Sequence, residues 1–170
     1  MKLFLMRHGD AEKRIMAYQE RSLTSTGERE ADAGGLFLRI SGEKPDVIMH
    51  SSQIRSRMTA ERVMAAVGSG VLVPRMDLEE DSSPEDFLAS VAGEFAGTDS
   101  RVLAVGHNPF ISRLGSLMLG GSQSASVYLE FKTGALLGAD SVGSGKYWNL
   151  RFFATPKMLA GIYQAYSKLD

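Results

Sequence analysis

Residues 2–9 have the sequence KLFLMRHG, in which a short apolar run gives way at once to an arginine, a histidine and a glycine. The apolar run at 2–6 predicts a strand buried on both faces, as strands of parallel sheets usually are. In open α/β sheets, ligands bind in the crevice outside the carboxyl ends of the strands. Arg7 and His8 therefore lie where a ligand would meet the sheet, and this pair of side chains suits a phosphoryl group.

The rest of the chain alternates strand-like and helix-like segments in the same way. We predict further strands at 46–50, 71–73, 101–105, 127–131, 135–139 and 146–151. Capping residues and helical spacing of apolar side chains predict helices at 28–40, 51–67, from 83 onward, 109–119 and 156–168. The alternation indicates a three-layer α/β/α fold with a mostly parallel central sheet, built as a single domain over residues 1–170.

The composition is that of an ordinary soluble globular protein. The chain has 170 residues, 44% hydrophobic and 23% charged, with a formal net charge of -1. Such a balance gives no reason to expect nucleic acid or an anionic membrane as a partner. Cysteine is absent, which excludes disulfides, thiolate catalysis and cysteine-ligated metal. Because no apolar stretch approaches the length of a membrane span, we expect a cytoplasmic protein.

Four side chains are expected to meet at the carboxyl edge of the sheet. Arg7 and His8 follow the first strand, and His107 follows the fourth. Arg55 lies in the first turn of the helix after the second strand. Arginine pairs with phosphoryl oxygens, and a neutral histidine can attack phosphorus as a covalent nucleophile. Gly9 is expected to let the backbone come close to the ligand.

Three motifs at these strand ends resemble the histidine phosphatase (phosphoglycerate mutase-like) superfamily. They are MRHG at 6–9, SSQIR at 51–55 with TAE at 59–61, and VGHNP at 105–109. Each motif alone is unspecific, but the three occur in the order and spacing of that family. The resemblance implies that His8 becomes phosphorylated, that Arg7 and Arg55 clamp the phosphoryl oxygens, and that His107 donates a further hydrogen bond.

A narrower resemblance is to the short phosphohistidine phosphatases of the SixA type. It is carried by Asp10-Ala11 directly after the first motif, by RSLT at 21–24, by Gly27-Glu28 and by the short chain. The sequence departs from the family pattern at Ser22 and Ser52, where proline is usual, and at Met58, where glutamine is common. None of these departures removes a charged pocket residue. The resemblance implies a phosphohistidine in a protein as substrate, without a metal or other cofactor.

Several further residues are candidates for the same site. We expect Ser51 and Asn108 to contact the substrate, and Arg21 either to lie at the mouth of the site or to have a plain surface role. Larger members of the family use a carboxylate after the third strand as general acid, and Glu80 is our candidate among the acidic residues at 79–81. A missing acid would favour an N–P substrate over an alkyl phosphate ester, since a protonated nitrogen leaves readily.

Other interpretations of the same residues remain open. A phosphatase of a small phosphorylated metabolite is the second enzyme hypothesis, and a non-catalytic phosphate-binding module is the hypothesis from another class. Three histidines with a carboxylate could bind zinc, but close ligand pairs are lacking and the nearby arginines would repel a metal. We interpret His50 as a strand-end or pocket-wall residue, and Arg57 and Arg62 as surface residues paired with carboxylates.

Overall fold

The structure is a computed structural model in which six strands of the described residues form one sheet. The residues it describes are 1–13, 16, 20–120, 127–143, 145 and 147–168. The strands are β1 Lys2–Arg7, β2 Val47–His50, β3 Val71–Pro74, β4 Arg101–Gly106, β5 Leu136–Val142 and β6 Tyr147–Ala154.

The strand order is β3-β2-β4-β1-β5-β6. The pairings among β1 to β4 are parallel, whereas β5 and β6 join by antiparallel pairing. The mostly parallel sheet is thus confirmed. Because β2, β4 and β1 are adjacent, their carboxyl ends share one edge. The register places Arg7 opposite Gly106 and His50 opposite Val105, so the polar residues that follow these strands meet there.

Helices cover both faces of the sheet. They are α1 Ser25–Ile40, α2 Ile54–Val67, α3 Pro84–Glu94, α4 Phe110–Gly120 and α5 Pro156–Tyr166. The alternation of β1 side chains divides the core, because Leu3 packs in the cluster with α3 and α4 and Phe4 in the cluster with α1, α2 and α5. The three-layer arrangement is confirmed. None of the described helices is both long enough and apolar enough to cross a membrane.

The helix starts follow from local capping chemistry. Thr24 caps α1 by accepting a hydrogen bond from the amide of Gly27, at 3.1 Å. Ser83 caps α3 in the same way, and Pro84 takes the first helical position, where its missing N–H costs nothing. These starts were predictable from sequence because each cap lies within a few residues of the backbone group that it satisfies.

The strand predicted at 127–131 is wrong, because this segment has no regular structure. Side chains satisfy its backbone groups: Ser116 Oγ accepts a hydrogen bond from Leu129 N at 3.2 Å, and Ser112 Oγ accepts one from Phe131 N at 3.4 Å. The Phe131 ring is fully buried in the core. The apolar pattern at 127–131 therefore belongs to a loop that is held by side-chain hydrogen bonds and by the buried Phe131 ring; we call it the pinned loop. The two following strands are confirmed as β5 and β6, although the predicted start of β6 at Lys146 lies outside the described residues.

Candidate active site

The carboxyl edge of the sheet gathers the residues expected there. His8 follows β1, and its backbone N–H donates to the carbonyl of Gly106 at the end of β4, at 3.0 Å. His107 follows β4, and the centroids of the two imidazole rings are 5.0 Å apart. Arg55, in the first turn of α2, reaches the same point with its Nε 3.1 Å from His8 Nε2. Sequence reasoning from strand ends thus predicted this convergence.

The orientation of His8 fixes which of its nitrogens is free to react. Its Nδ1 lies 2.7 Å from the carbonyl oxygen of Gly9, an atom that can only accept, so Nδ1 carries the proton. Its Nε2 then has the lone pair and accepts from Arg55. Burial lowers the pKa of His8 to about 3, and the charges of His107, Arg55 and Arg7 act in the same direction. The ring is therefore neutral near neutral pH, as a nucleophile must be.

Thr59 joins the end of β1 to helix α2. Its Oγ1 accepts from the backbone N–H of Gly9 at 3.0 Å and donates to the carbonyl of Arg55 at 2.7 Å. One hydroxyl therefore sets the distance between the histidine-bearing loop and the arginine-bearing helix turn. Sequence analysis missed this role of Thr59, although the residue lies one helical turn after Arg55, on the same face of the helix.

Arg7 is held by the pinned loop. Its Nη1 donates to the carbonyl of Phe131 at 2.9 Å, and Asn108 Nδ2 donates to that same oxygen at 2.9 Å. Burial lowers the pKa of Arg7, because a buried guanidinium loses hydration. Arg7 Nε is buried and has no hydrogen-bond partner among the described residues. Asn108 and Arg7 thus donate to the same carbonyl oxygen of the loop at 127–131.

His107 is 1% exposed, and its two nitrogens have different surroundings. Nε2 makes a short hydrogen bond with Ser51 Oγ, whereas Nδ1 is buried without a partner in the described part of the chain. Burial, together with the charges of Arg55, Arg21 and Arg7, lowers the pKa of His107 to about 3. The Nε of Arg21 is itself buried and unpartnered among the described residues.

The carboxylates after β3 have different partners. Glu79 accepts hydrogen bonds from the backbone N–H and hydroxyl of Ser52, at 2.8 and 2.7 Å, and from Gln53 Nε2 at 3.0 Å. Burial alone would raise the pKa of Glu79, but these hydrogen bonds bring it below its usual value. Glu80 is 47% exposed and accepts from Arg55 Nη2 at 3.1 Å. Of the acidic residues at 79–81, Glu80 is thus the one bonded to a residue of the predicted phosphoryl pocket.

Gly9 is required by packing against α1. A Cβ on Gly9 would lie 2.4 Å from the carbonyl oxygen of Gly27, and one on Gly27 would lie 1.9 Å from the carbonyl oxygen of Asp10. The two glycines therefore let the chain after β1 touch the first turn of α1. Sequence analysis expected Gly9 to let the backbone approach a ligand and named Gly27 only as part of the family resemblance.

Glu30 is a further residue that sequence analysis missed. Its carboxylate accepts from the backbone N–H of Asp10 at 2.8 Å and from Thr133 Oγ1 at 3.3 Å. Burial raises the pKa of Glu30, although these hydrogen bonds and the charge of Arg7 oppose the shift. The available signal was its position three residues after Gly27, which places both on one face of α1.

The residues interpreted as peripheral lie as predicted. Arg57 pairs with Glu61 at 3.7 Å on the exposed face of α2, and Arg62 Nη2 pairs with Asp32 at 2.6 Å. His50 ends β2, and its Nδ1 bonds to the carbonyl of Ser51 at 2.8 Å. Among the described residues, no group of three or more histidine, aspartate and glutamate side chains is placed to hold a metal ion.

Chemically, this edge combines a neutral imidazole, two guanidinium groups and a second imidazole with an unused nitrogen. The lone pair of His8 Nε2 can attack an electrophilic centre, and the guanidinium of Arg55 is beside it to stabilise negative charge on oxygen. Such charge develops on the oxygens of a phosphoryl group during its transfer. The geometry therefore fits phosphoryl transfer through a covalent histidine intermediate.

Comparison with known proteins supports the same family. Residues 3–82 match the family described as the histidine phosphatase superfamily (branch 1). No curated protein matches the chain in sequence. The resemblance on the first two motifs is therefore confirmed over residues 3–82, which include His8 and Arg55.

Solved structures share the fold over nearly the whole chain. The protein histidine phosphatase SixA, in complex with tungstate, is 24% identical, with a TM-score of 0.78 over 94% of this chain and 99% of its own. A protein of Nakamurella multipartitia assigned as phosphohistidine phosphatase SixA is 27% identical, with a TM-score of 0.73 over 91% and 95% of the two chains. A phosphoserine phosphatase of Entamoeba histolytica, in complex with phosphoserine, is 15% identical, with a TM-score of 0.69 over 93% and 98%.

Proposed function

We propose, on the premise that this chain has the fold and the motifs of the histidine phosphatase superfamily, that it is a metal-independent phosphatase acting through a phosphohistidine intermediate on His8. The observation that carries the proposal is the hydrogen bonding of the His8 ring. Nδ1 donates to Gly9, which leaves the lone pair on Nε2 beside the guanidinium of Arg55. A buried neutral imidazole in this tautomer is prepared for in-line attack on phosphorus.

The reaction has two steps. His8 Nε2 attacks phosphorus and forms an N–P bond, while the bond from phosphorus to the substrate breaks and its electron pair leaves with the substrate atom. Water then attacks the phosphorus of phosphorylated His8 and forms an O–P bond, while the N–P bond breaks and its electron pair returns to Nε2. The water loses a proton to the solvent, inorganic phosphate is released and the imidazole is again neutral. In both steps a phosphoryl oxygen accepts the hydrogen bond from Arg55 Nε–H, which His8 Nε2 accepts in the absence of a phosphoryl group. Binding of the phosphoryl group therefore frees the lone pair of His8 for attack.

The favoured substrate is a phosphohistidine in a protein. An alkyl phosphate needs a proton donor for its leaving oxygen, whereas phosphohistidine leaves as a neutral imidazole once its ring is protonated. Glu79 has both oxygens bonded to Ser52 and Gln53, and Glu80 accepts from Arg55 on the oxygen that faces the site. Neither carboxylate is arranged as a proton donor, which supports an N–P substrate. The SixA structures with the same fold agree with this choice.

The second candidate is a phosphatase of a small phosphorylated metabolite. Glu80 is half exposed and bonded through one oxygen, so it could turn toward a leaving oxygen once a phosphoryl group has displaced it from Arg55. The shared fold with a phosphoserine phosphatase is compatible with this activity. The two candidates differ in whether Glu80 takes part in turnover.

Turnover of a phosphohistidine peptide and of phosphoserine by the same preparation tests the choice. We expect kcat/KM for phosphohistidine to be larger by about a hundredfold or more, which is the usual contribution of a general acid that the phosphoserine reaction would lack. Glu80→Gln should leave phosphohistidine turnover nearly unchanged. Equal rates for the two substrates, with loss of phosphoserine turnover in Glu80→Gln, would support the metabolite phosphatase. Failure of any phosphodonor to phosphorylate His8 would support a non-catalytic phosphate-binding module.

A further inference from the structure

His107 lies beside the nucleophile with one nitrogen unused. Its ring centroid is 5.0 Å from that of His8, with the ring planes tilted by 52°. Among the described residues, Nδ1 has no hydrogen-bond partner although it is buried. Native proteins rarely leave buried polar nitrogens unpaired, and such a group in a site indicates a place for a ligand atom. Nδ1 is thus the nitrogen of His107 that can meet a phosphoryl oxygen.

Whether Nδ1 can donate depends on where the single ring proton sits. Burial and the neighbouring arginines keep His107 neutral near neutral pH, with a pKa of about 3. A neutral imidazole has one N–H and one lone pair, so the partner at Nε2 decides which nitrogen carries the proton. That partner is the hydroxyl of Ser51, a side chain with no exposed surface.

The hydroxyl of Ser51 has one direction that gives its own hydrogen an acceptor. In the described part of the chain its Oγ bonds only to His107 Nε2. If it donated its proton to Nε2, the hydroxyl hydrogen would be satisfied and the ring proton would be on Nδ1. If it accepted from Nε2, the hydroxyl hydrogen would be buried without an acceptor, which is costly.

We propose that Ser51 is a positioning residue that holds neutral His107 in the tautomer protonated at Nδ1, so that Nδ1–H can donate to a phosphoryl oxygen during transfer. This inference rests on the proposed phosphatase function and deepens it, since a serine expected to touch substrate acts through His107. The arrangement complements that of His8, in which the backbone carbonyl of Gly9 holds the proton on Nδ1 and leaves Nε2 to attack.

Nitrogen NMR of the histidine rings tests the proposal without substrate. Protonated and lone-pair ring nitrogens have well separated ¹⁵N shifts, and the signals of His107 are identified by their loss in His107→Gln. In the unaltered protein, Nδ1 of His107 should be protonated and Nε2 bare. In Ser51→Ala, the proton should move wholly or partly to Nε2, whereas Ser51→Thr, which keeps the hydroxyl, should retain it on Nδ1. Ser112→Ala is the control for the tautomer measurement alone, because Ser112 is also buried but bonds to Asn108 and Phe131 rather than to His107. It does not enter the activity comparison, since the carbonyl of Phe131 accepts a hydrogen bond from Arg7.

The activity of the same variants completes the test. Ser51→Ala should lower kcat by about tenfold to a hundredfold with little change in KM, the range expected for loss of one hydrogen bond to a charged group. A bare Nδ1 in the unaltered protein would overturn the proposal even if neither Ser51 variant folded. An activity loss in Ser51→Ala with an unchanged tautomer would overturn it as well, since it would indicate a merely structural role. A tautomer shift in a protein that turns over no phosphorylated substrate would uphold the role of Ser51 and contradict the proposed function.

Discussion

The ends of β1 and β2 carry the same local arrangement. In each, a histidine that is 6% exposed bonds through Nδ1 to the carbonyl of the next residue: His8 to Gly9 at 2.7 Å, and His50 to Ser51 at 2.8 Å. Since a carbonyl can only accept, both rings carry the proton on Nδ1. In the neutral form of either ring, the lone pair would therefore lie on Nε2.

The difference lies in what reaches Nε2 from other parts of the fold. Arg55 donates to His8 Nε2, and the ring of His107 lies beside it. For His50, the structure gives a bond from Nδ1 to the carbonyl of Ser51, at the strand end itself. The comparison teaches that the strand end orients the imidazole. The charge of Arg55 on α2 and the second imidazole after β4 then suit the β1 end to a phosphoryl group.

The largest expected effect separates the two histidines directly. His8→Ala should lower turnover of a phosphohistidine peptide by at least about a thousandfold, because the proposed nucleophile is gone. His50→Ala should keep most of its activity, since the bond that its ring makes in the described part of the chain is to the backbone of Ser51. Steady-state rates on both folded variants, checked by circular dichroism, test this. A loss of the same size in His50→Ala would contradict the contrast between the strand ends.

The strand ends were predictable from sequence because their signals are local. The apolar run before Arg7 predicts β1, and polar residues directly after a parallel strand must lie at the binding edge of the sheet. His8, Arg55 and His107 could be assigned by this rule and by their motifs. The rule could not separate His50 from His8 by geometry, since both end a strand, and the family motif alone distinguished them.

What sequence analysis missed depends on contacts between distant segments. Glu30 bonds to Asp10 and Thr133, which are 20 and 103 residues away. The spacing of apolar residues along the sequence carries no information on a contact between such distant residues. The loop at 127–131 was mistaken for a strand because an apolar residue that is buried from a loop, as Phe131 is, looks the same in the sequence as one that is buried from a strand. In both cases tertiary contacts determined the outcome.

A smaller effect tests the electrostatics of the β1 end through the free energy of unfolding. The pKa of His8 is about 3 in the folded protein and 6.5 in an ordinary environment. Between these values the unfolded chain binds more protons, so this histidine's contribution to stability is present in full above the higher value and is lost as pH falls toward the lower one. Each such group gives a slope of about 1.4 kcal/mol per pH unit.

His8→Asn should remove this part of the slope. The asparagine amide can still donate to the Gly9 carbonyl but does not titrate, so urea unfolding between about pH 4 and pH 6 should become less pH-dependent by about one proton. His107, with its pKa also lowered to about 3, should sustain the remaining slope. An unchanged slope in His8→Asn would show that the His8 ring is not buried in its neutral form.

The smallest effect concerns the contact between the β1 end and α1, which is made at Gly9 and Gly27. A Cβ on Gly27 would lie 1.9 Å from the carbonyl oxygen of Asp10, and backbone cannot move aside as a flexible side chain can. Gly27→Ala should destabilise the protein by about 1–3 kcal/mol. Gly93 in α3 is the matched control, since nothing lies within 4 Å of its added Cβ, and Gly93→Ala should stabilise by about 0.5–1 kcal/mol through helix propensity.

Because Asp10 continues from the loop that bears His8, Gly27→Ala should also slow turnover, whereas Gly93→Ala should not. Equal changes in the two variants, measured by urea unfolding and by rate, would mean that the β1 end does not depend on its contact with α1.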